Sequence, residues 1–180
     1  MADFQKPYEM IVDYVTGTAV PNVGAEENRQ ALERILVEEK GFSREEIEVG
    51  RELSLTIAGE PYCSQIDLVV SIEGQPVMAV KCAPGSLSSR EREILAASRL
   101  SDPGPIPISV VSDGKTALVL ETGSGRILGE GMGALPDRSA VERLLPKVAC
   151  RPLSEPQKER EKLIFRTYDV ENVNVARKMD

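Results

Sequence analysis

Two charged residues stand inside stretches that are otherwise largely apolar: Asp67 in Gln65–Ile72 (QIDLVVSI) and Lys81 in Val77–Cys82 (VMAVKC). A strand buried on both faces holds neither cheaply, because a buried charge loses its hydration unless it is paired or liganded. Three chemistries answer that cost: a structural Asp–Lys ion pair, a divalent cation on the carboxylate, or a phosphate on the ammonium. The spacing lets the two residues meet. Gln65–Ile72 alternates, with Ile66, Leu68, Val70 and Ile72 on one face and Asp67, Val69 and Ser71 on the other. On the return strand Val77, Ala79 and Lys81 share a face, and Met78, Val80 and Cys82 share the opposite one. Glu73, Gly74 and Gln75 supply the turn between them, where Gly tolerates the positive φ of a tight hairpin.

The rest of the composition narrows the chemistry. The chain has 180 residues and no histidine. Ser–His and Cys–His nucleophiles and His-ligated metals are therefore excluded. Acid–base work falls to carboxylates, Lys, Tyr or water, and a hard cation on oxygen ligands stays compatible. Cys63, Cys82 and Cys150 form no C-x-x-C pair, which argues against zinc and fits a reducing cytoplasm. The Gly-rich TGSGRILGEGMG of Thr122–Gly133 lacks dinucleotide-fingerprint spacing and reads as turns; no P-loop is present. Net charge is −7, from 22 basic and 29 acidic residues, a poor global match for nucleic acid. The exception is Arg143–Arg166, with seven basic and three acidic residues, which reads as solvated helix surface or as a nucleic-acid patch. No stretch is long and apolar enough for a membrane span, and MADFQKPYEM does not read as a secretory leader.

These residues need a scaffold, and the apolar pattern supplies one. A short helix is predicted over Phe4–Val15, a loop over Thr16–Gly24, and a helix over Ala25–Lys40, with Leu32, Ile35 and Leu36 as its apolar stripe and Gly41 as its C-cap. Glu26 and Glu27 fall in its first turn, where the helix dipole favours acids. A strand over Ile47–Ile57 precedes the Asp67–Lys81 hairpin. A cover helix follows over Ser89–Leu100, with Arg90, Glu91, Arg92 and Glu93 as its polar face. A second hairpin turns at Asp113-Gly114, and helices are predicted over Ser139–Val148 and Glu155–Phe165 before a loose tail from Asp169. The order is that of an α/β domain with a central mixed β-sheet, its first helix and the helix after Lys81 on opposite faces. Residues 1–150 read as that domain and 151–180 as a C-terminal helix and tail.

The run EENRQALERILVEEKGFSREEIEV, then QIDLVV, then VMAVKCAPGS, resembles the N-terminal domain of type I restriction enzyme R subunits, of the PD-(D/E)xK nuclease superfamily, and stand-alone bacterial proteins carrying that domain. The resemblance covers about Val15–Leu145. It implies a restriction-endonuclease-like core, α-β-β-β-α-β, here with an added hairpin and C-terminal helices. It further implies a Mg2+- or Mn2+-dependent DNA endonuclease. Asp67 would be a metal ligand, Lys81 would face the scissile phosphate or the attacking water, and Glu26 or Glu27 would join as the helix carboxylate and metal ligand. Lys81, Ser86, Arg90 and Arg92 would meet nucleic acid. The departure lies two residues before Lys81: the family acid is replaced by Ala79, whose methyl group cannot bind a metal. Either a carboxylate from elsewhere substitutes, with Glu26, Glu27 and Glu52 as candidates, or the chain is an inactive nuclease-fold module that binds DNA or a restriction-system partner.

Overall fold

The computed structural model describes residues 8–148 and 150–176, with side chains described through Asp169. Its centre is a six-stranded mixed sheet in the order β3-β4-β5-β6-β7-β8: β3 (Ile47–Ile57), β4 (Glu60–Ile72), β5 (Gln75–Cys82), β6 (Ile108–Ser112), β7 (Ala117–Glu121) and β8 (Ile127–Glu130). Only β5 and β6 pair in parallel, joined by a crossover through α2 (Glu91–Leu100). Every other neighbouring pair is antiparallel. The β4–β5 turn is tighter than the sequence suggests. Glu73 and Gly74 both take positive φ, as a two-residue hairpin turn requires, and Gln75 already belongs to β5.

Both faces of the sheet are covered. Leu32 and Leu36 of α1 (Glu26–Glu38) pack with Leu68, Val70, Met78 and Val80, joined by Val141 of α3 (Arg138–Leu144). The opposite face carries Val69, Ala79 and Val111, under Ile94 and Ala97 of α2 and Phe165 of α4 (Glu155–Ala176). The expectation that α1 and α2 lie on opposite faces is met. A buried hydroxyl chain fastens α2 to the sheet: Ser98 and Ser109 lie 2.7 Å apart, and Ser109 and Thr122 2.8 Å. Satisfied polar groups of this kind fix a helix register that apolar contact leaves loose.

Several local expectations are corrected. Within the predicted first helix, Met10–Val12 is a strand, β1, paired with β2 (Ala19–Pro21) from the predicted loop; Phe4–Pro7 lie outside the described residues. The Asp13 carboxylate accepts from the amides of Val15 and Thr16, and this side-chain turn ends the strand where a helix would continue. Ile127–Glu130, read as turns because of its glycines, is the outermost strand β8. Asp169, read as the start of a loose tail, lies inside α4, which runs to Ala176. Helix α3 ends at Leu144, before the predicted Val148.

Candidate active site

The register puts Asp67 and Lys81 side by side. Leu68 pairs with Val80 and Val69 with Ala79, so one step further along the ladder Asp67 faces Lys81. Lys81 Nζ lies 3.6 Å from Asp67 Oδ2. That same oxygen accepts a 2.7 Å hydrogen bond from the Cys82 amide, which fixes the carboxylate against β5. On the other side of β4 the register sets Gly50 opposite Asp67, between the pairs Val49–Leu68 and Arg51–Ile66. Gly50 has φ +67°, a conformation that costs little only without a side chain.

The third member of the group is Glu93. Its Oε1 lies 3.0 Å from Lys81 Nζ and its Oε2 3.2 Å from Arg90 Nη1. The Lys81 ammonium therefore lies between a carboxylate from β4 and one from α2. Side-chain exposure falls inward, from 17% at Asp67 and 12% at Lys81 to 3% at Glu93. Burial alone would lower the Lys81 pKa, but the Asp67 and Glu93 charges outweigh it and hold the amine above its ordinary value. Burial raises the Glu93 pKa, and Lys81 and Arg90 only partly offset it. Lys81 is thus firmly charged, while Glu93 holds a proton more readily than a surface glutamate does.

Ala79 explains how Glu93 gets there. It is fully buried, paired with Val69 and Ser109, and packs in one cluster with Ile94, Ala96 and Ala97. Small residues on both sides let α2 lie close to the strand. An acid at 79 would sit under that helix; instead the helix carries its own carboxylate to Lys81. The sequence pattern puts Glu93 on the polar face of an amphipathic cover helix, and its burial corrects that expectation. The missed signal was periodic, since Glu93 shares helical spacing with buried Ala96 and Ala97.

The helix α1 acids are engaged elsewhere. Asn28 Nδ2 donates to the Ala83 carbonyl at 2.9 Å, so the start of α1 comes near the loop after Lys81. Glu26 nevertheless pairs with Arg29 and accepts from Gln30 Nε2 at 2.9 Å. Exposed Glu27 accepts from Asn22 Nδ2 at 3.0 Å, and exposed Glu52 from the Ser54 hydroxyl. Arg29 also binds Asp13 at 2.6 Å and Glu33 at 2.5 Å, closing a second buried cluster on the opposite face of the sheet. Of the nucleic-acid candidates, Ser86 is an exposed loop residue 3.0 Å from the Ser88 hydroxyl; Arg92 is exposed on α2; Arg90 is turned toward Glu93. Sequence reasoning also passed over Tyr62 and Asp169 at the edge of the site. The Tyr62 hydroxyl donates to Asp169 Oδ2 at 2.6 Å, and burial followed by that contact raises the phenol pKa.

Among the described residues, no group of three or more His, Cys, Asp or Glu could hold a metal ion. Asp67 and Glu93 are the two oxygen-donor carboxylates that meet the Lys81 ammonium. That set suits Mg2+, which takes one or two carboxylates and completes its shell with water and substrate phosphate.

A central mixed sheet flanked by helices, with this Asp and Lys on neighbouring strands, is the architecture of a restriction-endonuclease-like core. Residues 24–136 match the family described as Type I restriction enzyme R protein N terminus (HSDR_N), and with well over half of the chain matched, the protein belongs to that family. Comparison with curated proteins and with solved structures gave no match. No helix among the described residues is long and apolar enough to cross a membrane.

Proposed function

We propose that the chain is a Mg2+- or Mn2+-dependent DNA endonuclease domain of a restriction system, in which Glu93 supplies the acid that Ala79 lacks. The supporting observation is the pair of carboxylates, Asp67 and Glu93, converging on the ammonium of Lys81. Asp67, held by the Cys82 amide, and Glu93, held by Arg90, would bind the cation. When bound, a divalent cation lowers the pKa of its water and neutralises charge developing on the phosphate. Lys81 keeps its proton and offers a compact positive charge to a phosphate oxygen. Arg92, exposed on α2, and Ser86, exposed in the loop after β5, would contact the DNA backbone. Binding the cation would also offset the repulsion between the two carboxylates and an incoming phosphate. The partners of this reading are DNA and, through the family, other restriction-system proteins.

The test is nicking of supercoiled plasmid in Mg2+ or Mn2+. Wild-type protein nicks, and Asp67→Asn and Glu93→Gln each lose about 100-fold or more. Plasmid binding without nicking by the wild type would replace this reading with that of a non-cutting DNA-binding module. Nicking that survives Glu93→Gln would remove Glu93 from it.

A further inference from the structure

The site is enclosed on one side by a helix outside the matched family segment. Helix α4 lies beyond residue 136 and packs on α2, with a stripe of Glu161, Phe165 and Asp169 at four-residue spacing buried beneath it. Each makes a defined contact. Glu161 Oε1 lies 3.0 Å from Arg99 Nη1 of α2. The Phe165 ring meets Tyr62 of β4 edge to face, with centroids 6.3 Å apart. Asp169 accepts from the Tyr62 hydroxyl at the end of the stripe nearest the site. Its carboxylate acts electrostatically on both Lys81 and Glu93, and Phe165 packs in one apolar cluster with Ala79 of β5 and Ile94 of α2, the neighbours of Lys81 and Glu93.

We propose that α4 is an autoinhibitory cover, seated by Glu161, Phe165 and Asp169, that closes the approach to Asp67, Lys81 and Glu93 until it lifts. Two of the three anchors are polar. On release their groups regain hydration, so the seat is weaker than an apolar helix face of equal length would make it. The outer face is suited to water: Lys158 pairs with Glu155 and Lys162 with Glu159, each three residues apart. No helix or strand is found between Leu144 and Glu155 among the described residues, so the cover hangs from an irregular segment. That DNA is what enters once the cover lifts rests on the function proposed above; the cover itself does not.

The test uses the full-length chain and reads the cover separately from DNA. Glu161→Arg sets two arginines against each other, and Arg99→Glu/Glu161→Arg restores an opposite-charge pair. Tyr62→Phe is a milder variant that removes the Asp169 bond and keeps the ring contact. Amide hydrogen exchange over residues 155–169 reports whether α4 lifts, and the acylation rate of Lys81 by an amine-reactive acetyl ester, read by mass spectrometry, reports access. The expected result is Lys81 acylation about tenfold faster in Glu161→Arg, a smaller gain in Tyr62→Phe, and a return toward the wild-type rate in the charge swap. Lys81 acylated at the wild-type rate while α4 exchanges freely overturns the proposal. So does unchanged exchange in both opened variants, because a helix that stays seated without its anchors is not a displaceable cover. Anisotropy of a fluorescein-labelled DNA duplex completes the set. Tighter binding by the opened variants joins the two readings. Faster acylation with no DNA binding by any variant keeps the cover and rejects the nuclease.

Discussion

Each face of the sheet buries carboxylates around one cation, and the two cations are different. On the α1 face Arg29 is clamped by Asp13, Glu26 and Glu33, all short contacts to a planar guanidinium. On the α2 face Lys81 lies between Asp67 and Glu93 at 3.6 and 3.0 Å. A guanidinium fork fits several carboxylates at once and holds them in place; an ammonium is a point charge that can exchange partners. The Arg29 cluster ties the β1–β2 hairpin to α1, and Gln30 adds a 2.7 Å acceptor for the Tyr14 amide. The Lys81 cluster links β4, β5 and α2, and it holds the Asp and Lys that interrupt the apolar strands. The lesson is that burial of charge marks both sites, and the kind of cation separates the brace from the candidate chemistry.

The two clusters should differ most in what each contributes to stability. Arg29→Met strands three carboxylates in or near the core and should cost about 3–5 kcal/mol in urea unfolding. Lys81→Met should cost less, about 1–2 kcal/mol, because it strands two carboxylates and not three, and Asp67 keeps 17% of its side chain in solvent. Equal costs, or the reverse order, would undo the assignment of brace and site.

A second effect is set by pH. Burial, ahead of the charges of Asp13 and Glu26, raises Glu33 from near 4.5 to about 7, against the opposing pull of Arg29. The folded state therefore binds this proton more tightly than the unfolded chain does. Stability contributed by the protonated form is full below about 4.5 and is lost as pH rises to about 7, a fall of roughly 3 kcal/mol that levels off above it. Glu93 acts in the same direction, so the Glu33 share is read as the difference from Glu33→Gln, in which that part of the slope vanishes. Asp13 is lowered, since its Thr16 and Arg29 hydrogen bonds outweigh burial, and its contribution is lost only in more acid solution. A slope unchanged in Glu33→Gln would show that the carboxylate is ionised and fully compensated in the clamp.

The smallest effect separates neighbours on α1. Glu26→Gln removes one arm of the clamp and should cost about 1–2 kcal/mol, whereas Glu27→Gln at an exposed position should change stability by no more than about 0.5 kcal/mol. Thermal denaturation of both variants at one pH is enough to check it.

The sheet and the opposed helices were legible because period-2 and period-3.6 patterns run long enough in β3 to β5 and α1. Asp67 and Lys81 were legible for the same reason, as charges interrupting an apolar alternation. The short strands were not: β1, β2 and β8 are three or four residues long, and their pairing is decided by neighbours and by the Asp13 turn. Glu93 was hidden by its surroundings. Beside Arg90 and Arg92 it reads as surface charge, and only the closeness of α2 to Ala79 buries it. Arg29 and Glu33 were masked in the same way, as i,i+4 partners on a helix that reads as amphipathic. Buried charge networks depend on which helix lies over which strand, and no local window of sequence contains that.

In the proposed site Glu93, and not an acid of α1, completes the group around Asp67 and Lys81. The most direct measurement is Mn2+ affinity by titration calorimetry in wild type, Glu93→Gln and Glu26→Gln. Glu93→Gln should weaken binding about 10-fold or more, while Glu26→Gln should leave it near the wild-type value. Binding that survives Glu93→Gln and is lost in Glu26→Gln would contradict that assignment, and would move the metal-binding acid from α2 to α1.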